Sequence, residues 1–200
     1  MRTIQAVTVY CSSSRDVAAH YFAAARELGR EISRAGWALV YGGNNLGLMD
    51  AVACACREAG GRVIGITPQR MVDEGIADPA CSELVVTNGM RERKALLEAR
   101  GDALVALPGG IGTFEEFFEV LVGRMLGYHA KPIVVLNIAG YYDPLIQMIE
   151  HGIEQRFIKP KAREAFYVTA SVAEAMEYLK RHPPGSNKDD LISAEPSARE

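Results

Sequence analysis

The chain has 200 residues, of which 48% are hydrophobic and 24% are charged, and its formal net charge at pH 7 is −3. This length and this hydrophobic content are typical of one domain with a large buried core. The slightly acidic balance excludes a broad basic surface for nucleic acid or for an anionic membrane, so a phosphate group has to be bound locally.

Short β-branched runs alternate with longer segments of helical period along the chain. The predicted strands, in chain order, are Val7–Cys11, Ala38–Tyr41, Arg62–Thr67, Glu83–Val86, Ala103–Leu107, Ile133–Asn137 and Tyr167–Thr169. The predicted helices are Ala18–Ala35, Leu48–Ala59, Met90–Ala99, Phe114–Leu126, Pro144–Glu154 and Val172–Arg181. This alternation is typical of repeated βαβ units, and nearly continuous apolar strands favour a sheet covered on both faces. We therefore expect an α/β fold, Rossmann-like and doubly wound, with a mostly parallel sheet of about seven strands.

The chain shows no linker that would divide it into two domains. Residues 1–181 are expected to form a single nucleotide-binding catalytic domain. Residues 182–200 are rich in Pro, Ser and charge and poor in apolar periodicity, which predicts a disordered C-terminal tail. In an open α/β sheet, ligands bind beyond the carboxyl ends of the strands, so the functional residues are expected in the loops that follow them.

The cysteines and the lack of long apolar runs limit the chemistry and the location of the protein. Cys11, Cys54, Cys56 and Cys81 form no C-x-x-C pair and have no histidines at zinc-site spacing, so they are expected to be core residues and not metal ligands. The N-terminal residues 1–6 carry no apolar signal core, and no run of about 18 apolar residues occurs. We therefore expect a cytoplasmic protein with no membrane segment.

Two glycine-rich turns follow predicted strands and open predicted helices, Tyr41–Gly47 after the second strand and Pro108–Thr113 after the fifth. Glycine lets the backbone approach a ligand, and the first N–H groups of a helix attract anions, so both turns are candidate phosphate sites. The alternative for each is a tight turn without a ligand. Neither turn is G-x-G-x-x-G, and the chain has no P-loop motif. A mononucleotide is therefore favoured over a dinucleotide or a nucleoside triphosphate.

The segment Thr113–Glu116 matches a capping box, with Thr113 at the N-cap and Glu116 at the third helical position. In the structural interpretation these two side chains only stabilise the start of the helix. In the functional interpretation the Glu116 carboxylate, one turn from a phosphate site, meets the ribose of a bound nucleotide. The spacing alone leaves both interpretations open.

The charged segment Met90–Lys94 follows the fourth predicted strand and opens a helix. Such a cluster is usually a solvated turn. We predict, however, that the fourth strand lies beside the strand that leads into Pro108–Thr113, which would bring Arg93 to the same cleft.

Three segments together resemble the Lonely Guy family of cytokinin-activating phosphoribohydrolases, in order and at similar spacing from about Val7 to Leu179. They are Gly42-Gly43 with Gly47-Leu48-Met49, Met90-x-x-Arg93-Lys94 and Pro108-Gly-Gly-x-Gly-Thr-x-x-Glu116. The resemblance implies hydrolysis of AMP or N6-substituted AMP to the free base and ribose 5-phosphate, by a homodimer, without metal or cofactor. It also implies that Arg93 and Glu116 are catalytic. The substrate contacts that it implies are Gly43, Asn44, Gly47, Met90, Lys94, Gly109, Gly110, Ile111, Gly112, Thr113 and Glu115.

Two departures from the family pattern bear on the base pocket. Arg91 stands where the family usually has His, and Val122-Gly123-Arg124-Met125 stands where it usually has Thr-Trp-x-Gln. Proteins of this family are often labelled lysine decarboxylases, but neither glycine loop nor the Arg–Lys segment supplies a recognisable Schiff-base lysine. The main alternative is a non-catalytic carrier on the same fold, similar to the molybdenum-cofactor carrier proteins. A NAD-dependent oxidoreductase is a third possibility, but it lacks its glycine fingerprint.

Overall fold

A computed structural model describes residues 3–182 and residue 184. Within these residues, seven parallel strands form one sheet. The strands are β1 Ala6–Tyr10, β2 Ala38–Tyr41, β3 Val63–Pro68, β4 Glu83–Thr87, β5 Ala103–Ala106, β6 Ile133–Leu136 and β7 Tyr167–Thr169. Each predicted strand is therefore present, with its ends shifted by at most about one residue.

Seven α-helices connect and follow these strands in the described part of the chain. They are α1 Ala19–Arg34, α2 Gly47–Glu58, α3 Gln69–Asp73, α4 Met90–Arg100, α5 Ile111–Met125, α6 Asp143–Glu154 and α7 Val172–Arg181. The short helix α3 was not predicted, because five residues are too few to show a helical period. Two short 3₁₀ segments complete the connections, Ile138–Gly140 before α6 and Pro160–Glu164 before β7.

Helices cover both faces of the sheet, as the apolar strands predicted. Alternate residues of β1 point to opposite faces: Val7 and Val9 pack with helices α1, α2 and α7, whereas Ala6 and Tyr10 pack with α4, α5 and α6. The buried hydroxyl of Thr8 donates a hydrogen bond to the Leu97 carbonyl at 2.7 Å, which ties α4 to the central strand. The molecule is thus a three-layer α/β fold.

The strand order is β4-β3-β2-β1-β5-β6-β7. The prediction that the fourth strand neighbours the fifth is wrong, since β4 is an edge strand and β3, β2 and β1 lie between it and β5. Each of the first three crossovers moves outward by one strand. Helix α4 then runs back across β3, β2 and β1 so that β5 can pair with β1. The direction of winding changes between β1 and β5, where doubly wound sheets bind their ligands.

The C-terminal helix α7 ends at Arg181. The predicted tail, residues 182–200, lies outside the described residues except for 182 and 184. No helix in the described part of the chain is long and apolar enough to cross a membrane.

Candidate active site

A cleft of about 400 Å³ opens at the carboxyl ends of the strands, around the change of winding between β1 and β5. Its walls come from the segments that follow β1, β2, β3, β4 and β5. The lining residues are Cys11, Ser12, Ser13, Ser14, Asn44, Met49, Met71, Met90, Arg93, Gly110, Ile111, Gly112, Thr113, Glu115 and Glu116. The predicted position of the site beyond the carboxyl ends of the strands agrees with this cleft.

A buried ion pair lies in the cleft wall. Arg93 Nη1 donates to Glu116 Oε1 at 3.0 Å, and the two residues are only 3% and 6% exposed. Two carbonyl groups also hold the guanidinium, since Nε donates to Ile66 O at 3.0 Å and Nη2 donates to Gly42 O at 3.2 Å. Arg93 reaches Glu116 because α4 crosses beneath the sheet toward β1, and not because β4 neighbours β5. The predicted meeting of these side chains therefore occurs by a different route.

The Glu116 carboxyl has a raised pKa. Burial raises its pKa to about 6, while the neighbouring guanidinium of Arg93 opposes this rise. A carboxyl group with a pKa close to neutrality remains mostly ionised at pH 7 and exchanges its proton readily. Such a group suits stabilisation of positive charge or activation of water.

The second glycine loop leads into α5 without the predicted capping box. Helix α5 begins at Ile111, with Gly110 in extended conformation as the N-cap, and no side chain caps it. Thr113 therefore lies inside the first turn, and the Glu116 carboxylate bonds to Arg93 instead of to the N-cap. The prediction placed the start of the helix at Phe114, three residues too late, because glycine at positions 110 and 112 suggested a longer turn.

Open space surrounds the start of α5. A Cβ atom placed on Gly110 or on Gly112 would meet no heavy atom within 4 Å. The first N–H groups of the helix have no partners inside it, and the positive end of the helix dipole lies there. This wall of the cleft can therefore bind an anion such as phosphate.

The first glycine loop differs, because its helix start is already occupied. Leu48 N and Met49 N of α2 donate to the Ser12 carbonyl oxygen at 2.9 and 3.3 Å. Gly47 has a positive φ of 57°, and a Cβ atom there would lie 2.4 Å from the Ser14 carbonyl oxygen. The expectation of a phosphate site at this loop stays a prediction, but two N–H groups at the start of its helix already have an acceptor, as the alternative of a tight turn would have it.

The family model described as "Possible lysine decarboxylase" matches residues 49–179. The cytokinin riboside 5′-monophosphate phosphoribohydrolase of Rhodococcoides fascians is 41% identical over 180 residues, which cover 89% of this chain and 90% of the relative. The enzyme of that name from Arabidopsis thaliana, LOG5, is 39% identical over 178 residues, which cover 89% of this chain and 78% of the relative. The chain belongs to the Lonely Guy family. The resemblance read from its three motifs is thereby confirmed.

Solved structures share the fold of this family member. The molybdenum cofactor carrier protein of Chlamydomonas reinhardtii superposes with a TM-score of 0.67 at 26% identity, covering 90% of this chain and 98% of the carrier. The molybdenum cofactor binding protein of Rippkaea orientalis gives a TM-score of 0.69 at 23% identity, covering 90% and 98%. The predicted doubly wound Rossmann-like fold is confirmed, with a sheet that is wholly parallel in the described residues.

The substrate contacts predicted from the Lonely Guy resemblance lie on the cleft wall with four exceptions. Of the predicted contacts, Asn44, Met90, Glu115 and the stretch Gly110–Thr113 line the cleft beside the ion pair. Gly43, Gly47, Lys94 and Gly109 do not belong to the lining. A Cβ atom on Gly109 would lie 2.1 Å from Thr113 Oγ1, so this glycine lets the loop fold against α5.

Lys94 lies beside the cleft and pairs with carboxylates of α5. Its Nζ lies 2.7 Å from Glu115 Oε1 and 3.0 Å from Glu119 Oε2. The cleft lining among the described residues contains no lysine. The amine that Schiff-base chemistry of a lysine decarboxylase would use is thus not found in this wall.

Sequence reasoning missed the contribution of the turn after β1 and of an apolar wall. Ser12–Ser14 follows β1 and lines the cleft, but it was not among the predicted site residues, although it lies at the carboxyl end of the central strand. Met49 and Met71 join Met90 as thioether side chains on the wall.

The two departures from the family pattern lie outside the cleft. Arg91 is exposed on α4. Val122 and Met125 line a separate apolar groove near the end of α5. None of Arg91, Val122, Gly123, Arg124 and Met125 belongs to the cleft lining of the described residues.

Proposed function

We propose that this chain hydrolyses the N-glycosidic bond of a nucleoside 5′-monophosphate, AMP or N6-substituted AMP, to the free base and ribose 5-phosphate. The observation that carries the proposal is the buried Arg93–Glu116 pair, which faces a cleft bounded by the open N-terminus of α5. The names of relatives at 41% and 39% identity state a phosphoribohydrolase activity on cytokinin riboside 5′-monophosphate, which supports the same reaction here.

A carboxylate next to the sugar would assist this reaction. As the bond breaks, positive charge develops on C1′ and on the ring oxygen, and negative charge develops on the departing base. We assign to Glu116 either the stabilisation of this cation or the activation of the attacking water. The water molecule gives its hydroxyl group to C1′ and its proton to the departing base. We assign to Arg93 the orientation of Glu116 and charge balance near the leaving group.

The cleft lining contains groups suited to the phosphate and groups suited to the base of such a nucleotide. The phosphate is assigned to the N–H groups of Gly110 to Thr113, because the helix dipole favours an anion there. The base is assigned to the wall formed by Met49, Met71 and Met90, since polarizable thioethers pack well against aromatic rings. Met90 is 44% exposed, so an apolar substituent on N6 has room to extend along this wall.

We infer a homodimer that covers an apolar stripe on α5. Phe118, Val122 and Leu126 recur every four residues on one face and are 39%, 49% and 50% exposed. They border a groove of about 430 Å³ between α5 and the segment that follows α6, with Ile149 as the one lining residue from α6 itself. A second copy that packs the same stripe would bury it by two-fold symmetry. Light scattering at micromolar concentration tests this, and a fully active monomer would contradict it.

The domain and the location are also proposals. We infer that residues 1–181 form one catalytic domain, since a single sheet joins all seven strands of the described region. A cytoplasmic location agrees with Cys11, Cys54, Cys56 and Cys81 all being free thiols.

A carrier without catalysis is the second candidate, because the Chlamydomonas reinhardtii carrier shares the fold at 26% identity. A carrier needs an anion site but has no need for a buried Arg93–Glu116 pair. The pair therefore favours hydrolysis.

Product analysis decides between the two candidates. The protein is incubated with AMP, isopentenyl-AMP and other nucleoside monophosphates, and the products are identified by mass spectrometry. Release of free base together with ribose 5-phosphate is expected, and adenosine, which lacks the phosphate, serves as the control. Recovery of intact nucleotides, or of a tightly bound cofactor from the purified protein, would favour the carrier.

A further inference from the structure

Two adjacent tyrosines hold the second glycine loop from the side of β6. The hydroxyl of Tyr141 donates a hydrogen bond to the Gly109 carbonyl at 2.5 Å, and the hydroxyl of Tyr142 donates to the Leu107 carbonyl at 2.7 Å. Tyr142 is 1% exposed and Tyr141 is 37% exposed. Neither residue lines the cleft, and both hydroxyls are bonded to carbonyl groups of the loop.

An unusual turn directs both side chains at this loop. Ala139 adopts a left-handed conformation with φ 52°, which residues with a Cβ atom rarely adopt. The Asn137 side chain closes the turn, because its Oδ1 accepts from Tyr142 N at 2.7 Å and its Nδ2 donates to Asp143 Oδ1 at 2.6 Å. A strained conformation persists only where surrounding contacts hold it, and such conformations concentrate near functional sites.

Each carbonyl group of loop residues 107–109 accepts a hydrogen bond from another part of the protein. Between the two tyrosine bonds, Pro108 O accepts from Ser12 N at 3.2 Å. A peptide group is planar and trans, so a carbonyl held on one side directs the next N–H to the opposite side. The bond from Tyr141 to the Gly109 carbonyl therefore sets the direction of the Gly110 N–H, and Gly110 belongs to the cleft wall.

We propose that Tyr141 and Tyr142 are positioning residues that preorganise the second glycine loop for phosphate. This inference rests on the proposed function, which assigns the phosphate to the start of α5. The peptide between Gly109 and Gly110 is flanked by two residues without Cβ atoms, so it rotates easily unless it is held. The tyrosine hydroxyls hold it before the ligand arrives and thereby remove an ordering cost from binding.

The test compares ligands with and without phosphate on single-hydroxyl deletions. Titration calorimetry measures the binding of ribose 5-phosphate and adenosine to the wild-type protein and to Tyr141→Phe. The binding of AMP is measured on the same two proteins carrying Glu116→Gln, so that hydrolysis does not contribute to the heat. Loss of one hydrogen bond is expected to weaken ribose 5-phosphate and AMP about five- to tenfold and to leave adenosine unchanged. Tyr142→Phe is expected to act in the same direction. Tyr128→Phe, at a residue that is 82% exposed, is the matched control and should bind all three ligands as the wild type does.

The outcomes separate this inference from the proposed function. Unchanged binding of ribose 5-phosphate to Tyr141→Phe would overturn the inference, even if the wild-type protein hydrolyses AMP. An equal loss for adenosine would also overturn it, since general loosening of the structure would explain both losses. If the wild-type protein binds phosphate ligands without hydrolysing AMP, the proposed function fails while a selective loss in Tyr141→Phe still supports the positioning role. A wild-type protein that binds no phosphate ligand would overturn both.

Discussion

Two glycine-rich loops share a pattern in the sequence and have opposite surroundings in the structure. In the loop after β2, a Cβ atom on Gly42 would lie 2.1 Å from Arg93 Nη2, and one on Gly47 would lie 2.4 Å from the Ser14 carbonyl oxygen. In the loop after β5, Gly110 and Gly112 face open space. The first loop makes room for the protein's own groups, whereas the second leaves room for a ligand.

The difference teaches that a strand–glycine–helix pattern does not by itself identify an anion site. What decides is whether the first N–H groups of the helix already have acceptors. At the start of α2 the N–H groups donate to the Ser12 carbonyl. At the start of α5, no other loop of the described residues supplies a backbone acceptor for the N–H groups of Ile111, Gly112 or Thr113. Arg93 connects the two environments, because it donates to Gly42 of the first loop and to Glu116 behind the second.

The largest effect on turnover is expected from a change in the Arg93–Glu116 pair. Glu116→Gln keeps an oxygen that accepts from Arg93 but leaves the buried guanidinium without its counter-charge. The free energy of unfolding should therefore fall, while the protein should still fold and bind AMP. Nucleotide hydrolysis should fall about a hundredfold or more, because positioned carboxylates contribute factors of that size. Turnover and AMP affinity are measured on the same preparation.

The matched control for this variant is Glu150→Gln. Glu150 also pairs with an arginine, Arg163, but on the surface and away from the cleft. It should retain wild-type turnover. Near-normal turnover in Glu116→Gln would show that Glu116 has only a structural role, and the carrier function would then be favoured over hydrolysis by this pair.

The next effect concerns stability and tests whether the first loop is packed against protein. In Gly47→Ala the new methyl group is placed on a left-handed backbone and also collides with the Ser14 carbonyl oxygen. We expect these two effects together to lower the free energy of unfolding by about 3 kcal/mol or more. Gly36 also has a positive φ, 75°, but no neighbour within 4 Å, so Gly36→Ala isolates the backbone term and should lose only about 1–2 kcal/mol. Urea denaturation measures both. Equal losses would mean that the contact with Ser14 is unimportant.

The third effect is on pH dependence and concerns the acidity of Glu116. Because burial raises the pKa of this carboxyl to about 6, its ionised form is lost as the pH falls through that value. If the carboxylate is the active form, turnover at saturating nucleotide should fall about tenfold per pH unit below pH 6. The phosphate of the substrate also titrates near pH 6.

Carbon NMR therefore follows the Glu116 carboxyl directly in the ligand-free protein, with Glu116→Gln assigning the signal. An activity that instead disappears above pH 6 would show that the protonated form of Glu116 is required.

The smallest effect is expected at the open glycines of the second loop. Gly112→Ala adds a methyl group where the protein has no neighbour, and alanine favours a helix by up to about 1 kcal/mol over glycine. Stability should therefore stay the same or rise slightly, while the KM for AMP rises several-fold because the methyl group intrudes on the phosphate. A loss of stability would indicate that this loop is packed like the first. An unchanged KM would place the phosphate elsewhere.

Much of the fold was predictable, because buried parallel strands are continuous apolar runs separated by helical segments. The neighbour of each strand was not predictable, since the sequence of a βαβ unit does not state on which side the next strand pairs. The adjacency of β4 and β5 was accordingly predicted wrongly. The start of α5 was placed too late for a local reason, namely that glycine usually marks a turn but here lies within the first helical turn at Gly112.

The site was predictable where motifs and the carboxyl-end rule agree, as for Arg93 and Glu116. It was not predictable for residues whose role depends on tertiary contacts. Nothing local distinguishes the Ser12 carbonyl, which occupies the start of α2, from any other carbonyl. The same holds for Tyr141 and Tyr142, which reach Gly109 and Leu107 across more than thirty residues of sequence.

The route of α4 beneath the sheet has a consequence for biosynthesis. The segment from β1 to α4 carries Arg93, and the segment from β5 onward carries Glu116. While the chain is emerging from the ribosome, the first segment presents a guanidinium whose carboxylate has not yet been made, and a buried charge without its partner is strongly unfavourable. Its early collapse therefore has to rely on apolar packing of α1 and α2 against β1 to β3. Arrival of α5 completes the charge pair, so the wall of the candidate site that holds Arg93 and Glu116 is complete only when the two halves of the nascent chain have docked.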